Sequence, residues 1–190
     1  MERSTLVFSE GGPQHLDLVL DKCSRVIREE GINHLVVATG GETLLRAARL
    51  LRSDIAGGLN LVGVTLQAGT WVEYGEPNWD KLAEAKNLGA QVLTCTHSLM
   101  GNVESAIVRK FGGVPPVELI AYTLYAFSQG TKVAVEVMLS AVDAGMLPSG
   151  VPVIGVGGTG EGADTALLMR AVSTVDFFDL KIHEILCKPR

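Results

Sequence analysis

The chain has 190 residues, is 47% hydrophobic with a mean hydropathy of +0.28, and carries a formal net charge of −5. That length suits one domain, residues 1–190, with a sizeable core. No run approaches the ~18 uninterrupted apolar residues of a membrane span, and the unclustered basic residues of an acidic chain argue against nucleic acid as a partner. So much apolar content without a span implies a sheet covered on both faces, or a subunit interface. Cys23, Cys95 and Cys187 are odd in number, far apart and free of any CxxC spacing. They read as free, mostly buried thiols of a reducing cytoplasm. The opening Met-Glu-Arg-Ser-Thr lacks a basic-plus-apolar signal pattern, which fits a cytoplasmic protein.

Taken in order, Thr5 to Phe8 is a short strand broken by Gly11-Gly12-Pro13. From Gln14 to Glu30, Leu16, Val19, Leu20, Cys23, Val26 and Ile27 recur at three and four, an amphipathic helix that Gly31 ends. His34 to Ala38 is a strand, Thr39 to Thr43 a turn and Leu44 to Leu51 a helix, followed by a loop over Asp54 to Gly58. Leu59 to Leu66 is the next strand. Gln67 to Pro77 is a polar, glycine-bearing loop with Trp71 and Tyr74, either a ligand-facing lid or an ordinary loop anchored by an aromatic. Trp79 to Leu88 is a helix and Gln91 to His97 a strand with a polar end. Met100 to Lys110 is helical, and Pro115-Pro116 opens a helix striped by Val117, Ile120, Ala121, Leu124 and Phe127.

The helix Thr131 to Ala144 is apolar nearly all round and must be buried on most sides. Lys132, Glu136, Ser140 and Asp143 form its one polar stripe, where an exposed Lys132–Glu136 pair is worth a few tenths of a kcal/mol (~0.3). Val151 to Val156 reads as a buried strand, Gly157 to Gly162 as a glycine loop and Asp164 to Arg170 as the start of a helix. Leu180 to Leu186 alternates like an edge or antiparallel strand. Strands that alternate with helices imply an α/β three-layer sandwich with a mostly parallel sheet.

Two strand–glycine–helix turns stand out as phosphate sites, because glycine lets the backbone approach an anion and a helix start presents free N–H groups. One is Thr39-Gly40-Gly41-Glu42-Thr43. The other runs Gly157-Gly158-Thr159-Gly160 to Asp164-Thr165. Both are expected at the carboxyl edge of one sheet, facing a single ligand. The alternative is a pair of tight turns with no ligand. Gly155, Gly157 and Gly160 formally match the dinucleotide fingerprint, but no second mononucleotide half can follow so late in the chain. Walker A is absent, and neither turn holds a lysine or arginine, which argues against a triphosphate and permits a single phosphate. Binding then rests on backbone N–H groups and on the hydroxyls of Thr39, Thr43, Thr159 and Thr165. Glu42, Glu161 and Asp164 must point away, or Asp164 caps a helix or takes a ligand hydroxyl. A bulky residue at Gly158 is expected to abolish binding and spare the fold. Thr96, His97 and Ser98 at a strand end either hold a polar ligand or include a plain satisfied histidine. No metal-ligand spacing and no G-x-S-x-G nucleophile turn occur.

Val36-Val-Ala-Thr-Gly-Gly-Glu-Thr43 resembles the carboxy-terminal α/β domain of pyruvate kinase, with Thr39, Gly41 and Thr43 in the turn that holds a sugar-phosphate effector there. Over essentially the whole chain the sequence is similar to stand-alone proteins described as pyruvate kinase alpha/beta domain-like. The segments that carry this are Arg109 to Gly113, Pro116 to Ile120, Phe127 to Glu136, Gly157 to Thr165 and Phe177 to Asp179. The resemblance implies that domain's three-layer fold and flavin mononucleotide (FMN) in the crevice, with no established reaction. Pyruvate kinase activity does not carry over, because its active site needs a barrel of about 250 residues.

The leading expectation is therefore an FMN-binding protein, with Trp71 or Tyr74 available for stacking and an oxidoreductase role left open. A non-catalytic sensor of a sugar phosphate or nucleotide is the second reading, and an assembly protein the third. The apolar helix Thr131 to Ala144 adds the expectation of a homo-oligomer.

Overall fold

The computed structural model describes residues 3–190; Met1 and Glu2, where the N-terminal reading begins, lie outside the described residues. Strand β1 is Leu6–Phe8, and helix α1, Leu16–Glu30, buries the expected stripe from Leu16 to Ile27. It stops at Gly31, which adopts the left-handed conformation (φ 65°) and returns its N–H to Ile27 O. Next come β2 (His34–Ala38), α2 (Glu42–Leu50), the short α3 (Arg52–Ala56), β3 (Asn60–Thr65), α4 (Trp71–Tyr74), α5 (Trp79–Asn87) and β4 (Gln91–Thr94). The second half holds α6 (Val103–Phe111), α7 (Pro116–Tyr125), α8 (Gln129–Asp143), β5 (Pro152–Gly157), β6 (Thr165–Arg170) and β7 (Lys181–Pro189).

The strands form one seven-stranded sheet in the order β1-β7-β6-β5-β2-β3-β4. Only β6 runs against its neighbours; the other pairings are parallel. The carboxyl ends of the six co-directional strands therefore share one edge with the start of β6.

Period-two alternation divides the core. Leu35, Val37, Leu61, Ile154 and Val156 face α1, α2 and α5. Val36, Val62, Val64, Val153, Leu167 and Met169 face α7 and α8. This is an α/β fold with helices on both faces of a mostly parallel sheet. Helix α8 is buried from Gly130 to Ala141 save Val133, as its apolar circumference requires. The chain leaves β2 into α2 on one face and reaches adjacent β5 from α8 on the other. Strand order thus reverses between β5 and β2, and the carboxyl ends at such a reversal are where open α/β sheets bind ligands.

The largest difference from the sequence expectation is at 164–170. Instead of starting a helix, Thr165 to Arg170 is β6, paired residue for residue with β5 from Gly157↔Thr165 to Pro152↔Arg170. The run Ala166 to Met169 is apolar on both faces because both faces are covered, so it lacks the alternation that marks a half-exposed strand. Smaller differences fall at Arg52 to Ala56, helical rather than loop, and at Cys95 to Ser98, which lies beyond β4. β7 is antiparallel to β6 as expected, but it sits inside the sheet; β1 takes the edge. Cys23 and Cys187 are buried free thiols and Cys95 is partly exposed. Among the described residues no helix is long and apolar enough to cross a membrane.

Candidate functional site

The two glycine turns both reach the carboxyl edge, but they are built differently. After β2, Thr39 N donates to Val64 O (2.9 Å), which ties the turn to the end of β3. The Thr39 hydroxyl accepts from Gly41 N (2.8 Å) and Leu44 N (3.2 Å), so it organises the start of α2 from within. Gly41 has φ 129°, and a Cβ there would stand 3.1 Å from Asn78 O, so the position favours glycine twice over. Leu45 N makes the first intrahelical bond, to Gly41 O (3.1 Å). The N–H groups of Glu42 and Thr43 thus have no intrahelical acceptor, and the helix dipole puts about half a positive charge beside them.

The turn itself holds no cation; the fold brings two beside it. Lys81, on α5, reaches Glu42 Oε2 (2.6 Å), and Arg46 reaches Glu42 Oε1 (2.6 Å). The hydrogen bond from Lys81, then that from Arg46, holds the Glu42 carboxyl below its ordinary value. The acidic residue that threatened to repel a phosphate is therefore matched. Asn78, which caps α5 by accepting from Lys81 N (3.0 Å), also donates its own N–H to Gly40 O (2.7 Å). Beside it, Trp79 packs edge-on to Trp71, ring centres 5.5 Å apart, and Trp71 Nε1 donates to Leu66 O (2.9 Å). An aromatic pair therefore borders the turn, while Tyr74 is exposed. The loop that carries Trp71 and Tyr74 contains a 3-10 turn, Ala68–Thr70, and α4.

At the β5–β6 turn the protein provides its own anion. The Asp164 carboxylate, fully buried, accepts from Gly12 N (3.1 Å), Thr159 N (2.9 Å) and the Thr165 hydroxyl (2.7 Å). Thr165 also bonds Ser128, the cap of α8, whose hydroxyl accepts from Thr131 N (2.9 Å). One carboxylate thereby fastens the β1 loop, the β5–β6 hairpin and the start of α8. Gly155 and Gly157, two of the three fingerprint glycines, lie inside β5 and seat α8. A Cβ on Gly157 would fall 2.4 Å from Gly130 O, and one on Gly155 would fall 2.8 Å from Ala134 O. A side chain at Gly158 would meet Gly162 O at 2.7 Å, so a bulky residue there breaks the hairpin instead of sparing the fold. Gly160 is exposed, with open space around its Cα.

A third group, under the loop beyond β4, brings the Lys132–Glu136 pair together with His97 and with Leu99, which the sequence did not single out. Lys132 and Glu136, valued above as an exposed pair, are each 4% exposed and form an ion pair along α8. Glu136 Oε1 accepts from Leu99 N (2.8 Å), and His97 Nδ1 lies 3.9 Å from Glu136 Oε2. His97 Nε2 reaches Thr65 O (3.3 Å); a carbonyl only accepts, so Nε2 carries the proton. Thr65 and Thr94 share a hydroxyl bond (2.6 Å). The Ser98 hydroxyl is buried and has no partner among the described residues. Thr96, by contrast, is exposed. The i, i+4 spacing of Lys132 and Glu136 signalled a pair; only packing could show that it is buried.

An open groove of about 410 Å³ between α1 and α2 is lined by Asp17, Arg46 and Arg49 among others, but its arginines are paired with Asp17 (2.9 Å) and Glu84 (2.6 Å). No group of three or more potential metal ligands occurs among the described residues. No protein-family model matches the chain.

Proposed function

We propose that this protein binds a phosphorylated small molecule, FMN foremost, in the crevice at the carboxyl edge of the sheet. The phosphate sits on the Glu42 and Thr43 N–H groups. The observation that carries the reading is the β2–α2 turn itself. It combines unpaired N–H groups on a nine-residue helix, a glycine-only backbone and the Lys81 ammonium beside the switch between β2 and β5. The Trp71–Trp79 pair next to the turn supports an aromatic ligand. The resemblance to the pyruvate kinase alpha/beta domain-like proteins supports the same ligand and that domain's particular topology. It brings no pyruvate kinase activity and no reaction, so a flavin-dependent oxidoreductase is a role this site permits and does not by itself define.

The protein is further read as cytoplasmic and homo-oligomeric. Helix α8 is covered within the chain, so the interface falls to α6 and α7, where Val103, Ile107, Phe111, Leu119 and Tyr122 are exposed. Light scattering at micromolar concentration should give more than one chain; a monomer contradicts that part.

A visible absorbance spectrum of freshly purified protein tests the ligand. A flavin band, with FMN released on denaturation, supports the reading. A colourless protein that neither binds nor quenches added FMN, yet is stabilised by phosphosugars, moves it to a sugar-phosphate sensor.

A further inference from the structure

The segment after β3 runs from the carboxyl edge of the sheet to the β2–α2 turn, fixed at its ends and free in its middle. At its start, Gln67 Nε2 donates to Gly101 O (2.8 Å), Thr70 N to Gln67 O (3.0 Å) and Trp71 Nε1 to Leu66 O (2.9 Å). At its finish, Pro77 is buried and Asn78 N donates to Gly40 O (2.7 Å), inside the turn proposed to hold the phosphate. Between these anchors, residues 72–76 are exposed one after another.

Two glycines bracket the free part. Gly75 has φ 86° and ψ 155°, a backbone conformation that in effect only glycine adopts. Gly69 and Gly75 both have open space where a Cβ would point, so no packing at either position resists a change of dihedral angles. Hinges of closing loops are a few positions of this kind. Helix α4, between them, is one turn long and too short to be held by its own hydrogen bonds.

The side chains say what the segment would meet. Val72 stands wholly in water, at 102% relative exposure, and Tyr74 is exposed as well. A lone exposed valine is ordinary. Here it shares one short stretch with Tyr74 and with exposed Leu66 and Trp79, next to the turn. The charges of the free part, Glu73 and Glu76, are both acidic. Such a segment suits an uncharged aromatic ring and not a phosphate, which like charge repels.

Resting on the FMN reading above, we propose that residues 69–76 are a strap that closes over the bound ligand on hinges at Gly69 and Gly75. Val72 and Tyr74 then leave water to cover the ring, while the phosphate stays at Gly40 to Thr43.

Amide hydrogen exchange and release kinetics in the full chain test the strap, with FMN and inorganic phosphate as probes. FMN should slow exchange at residues 72–76; phosphate, which gives the strap nothing to cover, should not. Val72→Ser should speed FMN release about tenfold, the scale of one buried valine side chain. Association rate and phosphate affinity should be unchanged, and the variant folds because the side chain it alters touches only water in the free protein. FMN that shifts the 40–43 amides yet leaves exchange at 72–76 at the free rate, or leaves Val72→Ser at the wild-type rate, overturns the strap and leaves the FMN reading standing. Protection of 72–76 that grows with protein concentration in the absence of ligand means that a second copy covers Val72, and it overturns the strap too. Failure of FMN to bind the wild-type chain overturns the FMN reading and the strap with it.

Discussion

The β2–α2 and β5–β6 turns look alike as strings of glycine, threonine and acid, yet they solve opposite problems. The first leads into a helix and leaves two N–H groups without an intrahelical acceptor. The second leads back into an antiparallel strand, and the protein's own Asp164 takes the Thr159 N–H of that turn together with Gly12 N from the loop after β1. A glycine turn is thus an anion site only if the next element exposes donors and no internal carboxylate satisfies them. The same kind of turn is a structural fastening in one place and, on the proposed reading, a binding surface in the other.

The strongest way to break this contrast is Asp164→Ala. It strands the Gly12 and Thr159 N–H groups, each at about 1–3 kcal/mol, and leaves the Thr165 hydroxyl with Ser128 alone, so urea denaturation should show a loss of about 2 kcal/mol or more. A loss under about 1 kcal/mol would mean that the carboxylate does not fasten the hairpin. Next comes Gly157→Ala, whose Cβ would press on Gly130 O at 2.4 Å. Overpacking of this kind costs about 1–3 kcal/mol, and FMN affinity per folded molecule should be unchanged. Gly41→Ala inverts that pattern. Its φ of 129° suits glycine alone, and strain of about 1–3 kcal/mol is expected. Here phosphate and FMN binding should weaken as well, by calorimetry on the folded fraction.

The smallest effect belongs to Glu42→Gln. Its partners Lys81 and Arg46 are surface residues, and such pairs contribute under about 1 kcal/mol. The sign with pH is fixed, because the folded carboxyl is held below its ordinary value. The pair's contribution is present above the ordinary glutamate value of about 4.3. It is lost as pH falls through the lower folded value, so wild type and variant should converge in stability only in strong acid. Phosphate binding should tighten in the variant, since a charge near the anion is gone; weaker binding would mean that Glu42 itself positions Lys81.

Each residue's neighbours decide how legible its place was in the sequence. The stripe from Leu16 to Ile27 faces one core and water, so its period was plain. Helix α8 announced its burial by being apolar all round. The strand Thr165 to Arg170 was opaque because both its faces are covered, which erases the alternation that separates strand from helix. Thr39, Gly41 and Thr43 were legible as a turn, but Lys81 was not, since it arrives on a helix that packs there only in the fold. Burial of Lys132 and Glu136, and the bond from Leu99 N, likewise depend on the loop after β4 folding over α8.

The claim at the centre is that the phosphate goes to the turn after β2 and not to the hairpin after β5. Amide NMR of the folded chain during FMN titration addresses both turns at once. The account predicts large saturable shifts at Gly40, Gly41, Glu42 and Thr43, with the amides of Gly12 and Thr159, already bonded to Asp164, nearly still. Saturable shifts at Gly158 to Gly162 with the 40–43 amides unmoved would contradict it.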